Sequence, residues 1–220
     1  MEQQILDGLK AAARPERAEG ARAYLKSQRD FLGVSVPDTR AVVRTIGKLD
    51  REPAIALAQK LWEGPWFECR QAAVMVLARS ARSLEVEDLA LVEGLIRDGE
   101  TWALVDELSI RVAGPIAAAD PEAGSCLDRW STDECFWLRR ASMLALLTSL
   151  RKGGGDWPRF CRYAESMLGE REFFIRKAIG WVARDTSRKR PELVRAWVDA
   201  HRAGMSGLTL REATKHLPPA

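Results

Sequence analysis

The sequence predicts an all-α fold, an α-solenoid of two-helix repeats, and three observations predict it. Apolar residues step by three and four, as in Val42-Val43-Ile46-Leu49, Ala73-Val76-Leu77 and Leu144-Leu147-Leu150, and no stretch alternates with the period of a strand. Pro15, Pro37, Pro53, Pro121, Pro158 and Pro191 punctuate the chain, repeatedly just inside helix starts, where a missing N–H costs nothing. Aromatic residues open comparable helices at Phe31, Phe67, Trp102, Trp137 and Phe174, at spacings of 36, 35, 35 and 37 residues. A two-helix unit at that period is the pattern of HEAT-like arrays, whose second helices line a concave surface suited to long partners.

Taken along the chain, the N-terminal Met1–Lys10 segment is polar and amphipathic, and the chain is expected to be unexported. Three later helix starts share a pair of aromatics with a basic residue three places after the second. They are Trp66-Phe67-Glu68-Cys69-Arg70, Phe136-Trp137-Leu138-Arg139-Arg140 and Phe173-Phe174-Ile175-Arg176-Lys177. Gly153-Gly154-Gly155 precedes Asp156-Trp157-Pro158, a helix-start signal, and reads as an inter-helix loop rather than a phosphate cradle. About a dozen helices of roughly 10–16 residues fill the chain. Residues 1–220 are expected to form a single repeat domain.

Composition narrows the function. Hydrophobic residues at 46% and charged residues at 30% are globular values, and no apolar run is long enough to cross a membrane. The expected setting is soluble and cytoplasmic. Cys69, Cys126, Cys135 and Cys161 show no Cys-x-x-Cys spacing, so reduced and mostly buried thiols are expected. His201 and His216 are the only histidines, which leaves no His-Glu-x-x-His zinc site and disfavours a Ser-His-Asp triad. No metal and no cofactor is called for by any ligand spacing. Charge is lopsided: 17 basic and 23 acidic residues up to Phe136, against 17 basic and 8 acidic from Trp137 onward. A basic half on a nearly neutral chain points to a polyanion met by one face.

Numbering each repeat from its aromatic, positions +3, +4 and +7 share a helix face with it. Position +3 holds Arg70, Val105, Arg140 and Lys177, and position +4 holds Gln71, Asp106, Ala141 and Ala178. Position +7 holds Val74, Ser109, Leu144 and Trp181. One repeat thus carries a lone carboxylate, and another a tryptophan where the others are smaller. Trp102, Asp106, Arg140, Lys177 and Trp181 are expected on equivalent faces of adjacent repeats. Asp106 could serve as an ordinary inter-repeat ion pair with Arg70 or Arg140, and Trp181 as core. Eight tryptophans against two tyrosines argue instead for large aromatic faces. A carboxylate among aromatics and cations suits the stabilisation of a developing cation beside a bound anion.

Four segments carry a resemblance: Phe31-Leu32-Gly33-Val34-Ser35-Val36-Pro37-Asp38-Thr39-Arg40, Trp102-Ala103-Leu104-Val105-Asp106, Trp137-Leu138-Arg139-Arg140-Ala141 and Glu172-Phe173-Phe174-Ile175-Arg176-Lys177-Ala178-Ile179-Gly180-Trp181. With the tail Leu208–Leu217, and in order from about residue 20 to the end, the chain resembles the AlkD-type DNA alkylation repair glycosylases. That resemblance implies a basic concave face on duplex DNA and excision of cationic N3- and N7-alkylated purines without full extrusion of the base. By matched position, Asp106 is implied as the catalytic carboxylate, with Trp102 and Trp181 flanking the deoxyribose and Arg140 on the DNA backbone. Arg40 and Tyr24 match residues near the strand on the N-terminal side. Lys177, Phe174 and Arg139 complete the expected DNA contacts. Thr101 and Ala103 depart from the family, whose members often carry an aromatic and an acid there. A monomer is expected, since solenoid arrays often are. The competing reading is a non-catalytic HEAT-repeat protein that binds DNA, branched DNA included, or a protein partner.

Overall fold

The computed structural model describes residues 1–217; the last three residues of the expected 1–220 domain lie outside the described residues. In chain order the helices are α1 (Glu2–Ala11), α2 (Pro15–Leu25), α3 (Val36–Arg44), α4 (Arg51–Trp62), α5 (Phe67–Ser80), α6 (Leu89–Arg97), α7 (Trp102–Leu108) and α8 (Gly114–Ala119). They continue as α9 (Ala123–Ser131), α10 (Phe136–Ala145), α11 (Leu147–Arg151), α12 (Trp157–Met167), α13 (Phe173–Ser187), α14 (Pro191–His201) and α15 (Gly207–Thr214). Among the described residues there is no strand, only an isolated bridge between Asp30 and Trp66. The fold is all-α and built from helical repeats, as the periodicity requires.

The chain divides into two compact units, Met1–Glu85 with Asp98–Leu108, and Val86–Arg97 with Ser109–Ala220. In the first, α4 packs beside α5, and α5 also meets α1, α3 and α7. Leu57, Leu61, Ala73, Val76 and Leu77 are buried between these helices. In the second, the pairs α9–α10, α12–α13 and α14–α15 are the expected two-helix repeats. Their buried Trp130, Leu138, Leu144, Phe160, Ile179 and Val198 recur at helical spacing.

Predicted starts at Phe67, Trp102, Trp137 and Phe174 fall at or within one residue of observed helix starts. Phe31 does not open a helix. It lies in an extended loop, and α3 begins five residues later, where Ser35 Oγ accepts the N–H of Asp38 at 3.2 Å. Gly33 in that loop has φ 78°, the left-handed region open to glycine, and a Cβ there would lie 2.0 Å from the Arg14 carbonyl oxygen. The predicted start at Asp156 is present: its Oδ1 accepts the Arg159 N–H at 2.8 Å. Helices are also shorter than expected around Pro115. A proline cannot donate to Arg111 and its ring crowds that carbonyl, and a π turn over Ser109–Ala113 precedes it.

Adjacent repeats are riveted at their own period. Trp62 Nε1 donates to Asp98 Oδ2 at 2.8 Å, Trp130 Nε1 to Glu93 Oε2 at 2.9 Å, Tyr163 Oη to Asp128 Oδ1 at 2.5 Å, and Trp197 Nε1 to Glu165 Oε1 at 3.0 Å. Three of the eight tryptophans therefore join repeats. Their abundance, taken from the sequence as a sign of large aromatic faces, is partly a structural device. An apolar ring with one polar edge can bury its body and still satisfy its N–H.

Glu93 is the most heavily used of these acceptors. It takes hydrogen bonds from Arg129 at 2.6 and 3.0 Å, from Arg97 at 3.0 Å and from Trp130. Arg129 above all holds its carboxyl down at about 2, with Trp130 and Arg97 assisting against the cost of burial. A depressed folded-state value makes the stabilisation complete above the unfolded value of about 4.3 and lost as pH falls toward 2. The midpoint of thermal unfolding should fall across that window, and less steeply in Glu93→Gln. Identical pH profiles for the two proteins would show that Glu93 contributes nothing.

Candidate nucleic-acid interface and active site

In the first unit, Trp102 begins α7 and Asp106 follows one turn later on the same face. Asp106 is 9% exposed, so its carboxylate is largely withdrawn from water. Tyr24, on α2 and 71% exposed, sets its ring edge against Trp102 with centroids 5.9 Å apart. Tyr24 also walls a cleft of about 480 Å³ with Phe31, Val34, Val36, Phe67 and Gln71. Gln71 occupies in α5 the register that Asp106 occupies in α7, and its buried Oε1 has no hydrogen-bond partner. Arg40 lies half-buried on α3, beyond the loop that carries Phe31.

Two buried ionic groups hold these pieces in place, and the partners of neither were read from the sequence. Glu68 is 2% exposed and accepts three backbone N–H groups, from Leu32 at 3.0 Å, Gly33 at 2.8 Å and Val34 at 3.1 Å. It fastens the loop before α3, while Phe31 stacks on Phe67 at 4.6 Å. Arg70 lies over the Trp62 ring at 4.6 Å and binds Asp98 twice, at the carbonyl oxygen and at Oδ2, the latter 2.6 Å away. Asp98 begins the turn that launches α7, in which Glu100 adopts φ 58° and Thr101 N–H donates to Gly99. Sequence spacing placed Arg70 on the face of the site; the structure gives it the task of fixing the helix that carries Trp102 and Asp106. Arg70→Ala should lower stability by about 2–3 kcal/mol, the worth of charged hydrogen bonds left unmade. Denaturant unfolding checks this, and a change below about 0.5 kcal/mol would show the lock to be idle.

In the second unit, Arg140 is 3% exposed. Its guanidinium donates to the Phe174 carbonyl and lies 5.7 Å from the Phe174 ring and 6.0 Å from that of Trp181. Trp181 is half-buried, and its Nε1 donates to Asp185 Oδ2 at 3.3 Å. Phe174 also contacts Trp137 at 4.9 Å and Phe173 at 5.3 Å, so Arg140, Phe174 and Trp181 form one aromatic–cation cluster. Gly180 lets α15 approach α13: a Cβ there would lie 2.5 Å from Glu212 Cβ.

The other cations chosen from the sequence are already engaged. Arg139 grips Glu170 through two bonds of 2.9 Å and the carbonyls of Asp133 and Glu134. Lys177 donates to Glu212 Oε1 at 2.5 Å, and Arg184 binds the other oxygen of the same carboxylate. Lys177 and its neighbouring cations hold the Glu212 carboxyl below the usual range despite its burial. Among the described residues no cluster of three or more His, Cys, Asp or Glu could hold a metal, and no helix is long and apolar enough to cross a membrane. Cys69 is buried and the other three cysteines are half-buried, all as free thiols. Burial pushes the Cys161 thiol up to about 12.

The first unit thus carries a shielded carboxylate one turn from Trp102, and the second a buried arginine among aromatic rings. The sequence matches the family described as DNA alkylation repair enzyme over residues 5–217, and the chain belongs to that family. DNA is the partner that membership implies. A predicted DNA alkylation repair enzyme from Enterococcus faecalis is similar in structure, with a TM-score of 0.84 at 22% identity over 94% of this chain and 98% of that one. AlkD2 from Streptococcus mutans is similar with a TM-score of 0.64 at 17% identity, over 84% of this chain and 91% of that one. At such identities the likeness concerns the fold. No curated protein matches the chain.

Proposed function

We propose that the protein is a DNA glycosylase that hydrolyses the N-glycosidic bond of cationic N3- and N7-alkylated purines in duplex DNA, without fully extruding the base. The observation that carries this reading is Asp106, a carboxylate 9% exposed and one helical turn from Trp102. A purine alkylated at N3 or N7 is already positive. When the bond from C1′ breaks, the electron pair leaves with the purine, which departs neutral and needs no general acid. That distinguishes the reaction from ordinary glycoside hydrolysis, which uses two carboxyl groups. What needs help is the oxocarbenium-like sugar. Asp106 stabilises that charge and orients the water that adds to C1′ and gives up its proton.

Trp102 and Trp181 are proposed to flank the deoxyribose, each π face adding about 0.5–2 kcal/mol of attraction for the cationic centre. Arg140 is proposed to meet the DNA backbone, its guanidinium held between Phe174 and Trp181. Tyr24 and Arg40 would meet the strand on the N-terminal side. Lys177, Arg139 and Phe174 serve chiefly by holding that cluster and the helices around it, given the partners they have. Binding should be neutral to sequence, because phosphate contacts carry no base information. Trp181→Ala tests the aromatic contribution: single-turnover excision should fall by about 3- to 30-fold. An unchanged rate would remove Trp181 from the site.

A further inference from the structure

We infer that the second unit carries a separate phosphate-binding rim, formed where the C-terminal ends of α11, α13 and α15 come together, and that it grips the duplex beside the lesion site. The inference rests on DNA being the partner. Its starting point is that the basic half of the sequence does not spend its charge on all the DNA contacts expected of it: Arg139 and Lys177 are paired with Glu170 and Glu212. The charge that is left lies elsewhere.

Three segments meet at the rim. Arg190 donates to the Gly154 carbonyl at 2.6 Å, tying the loop after α11 to the one after α13. Lys189 lies against Gly153, within 3.4 Å of where a Cβ would stand. Arg188 reaches the His216 ring at 2.9 Å, bringing in the end of α15. Lys152, Arg188, Lys189 and Lys215 are exposed and enter no ion pair among the described residues. Arg190 adds a guanidinium whose buried Nε has no hydrogen-bond partner.

The rim is joined to the proposed site. Asp185 accepts from Trp181 at 3.3 Å, from Arg151 at 2.8 and 2.5 Å and from Arg184 at 3.3 Å, so it takes up the charge of Arg151 and leaves the outer cations. Cations at helix C-termini also complement the helix dipole, which accounts for one or two per end. It accounts for the C-caps Lys152, Arg188 and Lys215 but not for Lys189, one residue past the cap of α13, nor for bringing three such ends together, where clustering like charges costs energy unless an anion is met. A row of unpaired cations on several elements matches a continuous backbone of phosphates better than one small anion.

Binding of an undamaged DNA duplex is measured across a salt series for wild type, for Lys152→Ala/Arg188→Ala/Lys189→Ala, and for the milder Lys152→Gln/Lys189→Gln. Each lost phosphate contact lowers the slope of log K against log salt by about 0.9. The triple variant should lose about 2–3 units of slope and at least about tenfold in affinity at low salt, and the double variant about 1–2 units. Unchanged slopes, with or without a fall in melting temperature, would overturn the rim and leave its cations as helix-end complements. A loss confined to a duplex RNA competitor would overturn it as well. Failure of wild type to bind the duplex would instead bring down the DNA reading on which the rim rests; the wild-type measurement alone separates the two failures.

Discussion

Asp106→Asn should bind alkylated duplex DNA within a few-fold of wild type and excise the base about 10²–10³ times more slowly. The substitution keeps shape and one acceptor but removes the negative charge. The ground state carries its positive charge on the purine; in the transition state that charge moves to the sugar. A group facing the sugar therefore acts on the rate and hardly on affinity. Removing one focused electrostatic group typically costs about 3–4 kcal/mol of transition-state stabilisation. The burial of Asp106 places it where such a charge acts with little screening by water. Single-turnover excision beside equilibrium binding separates the two quantities. Equal rates, or a parallel loss of affinity and rate, would mean that Asp106 holds the fold or the DNA.

Glu68→Ala is expected to be the most damaging single change to the first unit. Glu68 accepts the N–H groups of Leu32, Gly33 and Val34 in a place where water does not replace it. An unsatisfied buried donor costs about 1–3 kcal/mol, so three together amount to about 3–9 kcal/mol, less whatever the loop regains by opening. Such a loss approaches the whole stability of many domains. Glu68→Gln keeps one acceptor oxygen but turns an amide toward the remaining donors, so it should recover only part. Hydrogen exchange at the three amides gives a local readout: rapid exchange in the alanine variant is expected. Protection equal to wild type would show that the loop holds without the carboxylate.

Much of the architecture was legible in the sequence because a repeat writes its period in large residues. Phe67, Trp102, Trp137 and Phe174 mark helix starts, and Trp137 packs against its counterpart Phe174 one repeat on. Phe31 broke the pattern because a left-handed Gly33 and the pull of Glu68 keep its segment extended. The one-turn spacing of Trp102 and Asp106 was also readable, being local to one helix. Partners at long separation were not. Nothing around Arg70 announces that Asp98, 28 residues later, will take its charge, or that Trp62 will lie beneath it. The same holds for Lys177 and Glu212, 35 residues apart. Charge counts located the basic half; only the structure separates the cations that are spent inside from those on the rim.

The most direct measurement is the release of free 3-methyladenine and 7-methylguanine from methylated duplex DNA, wild type beside Asp106→Asn. Release by wild type, with the variant at least about a hundredfold slower, is the predicted result. Release by neither protein, while both bind the duplex, would contradict it and make this a repair-family protein that binds DNA without cutting the glycosidic bond.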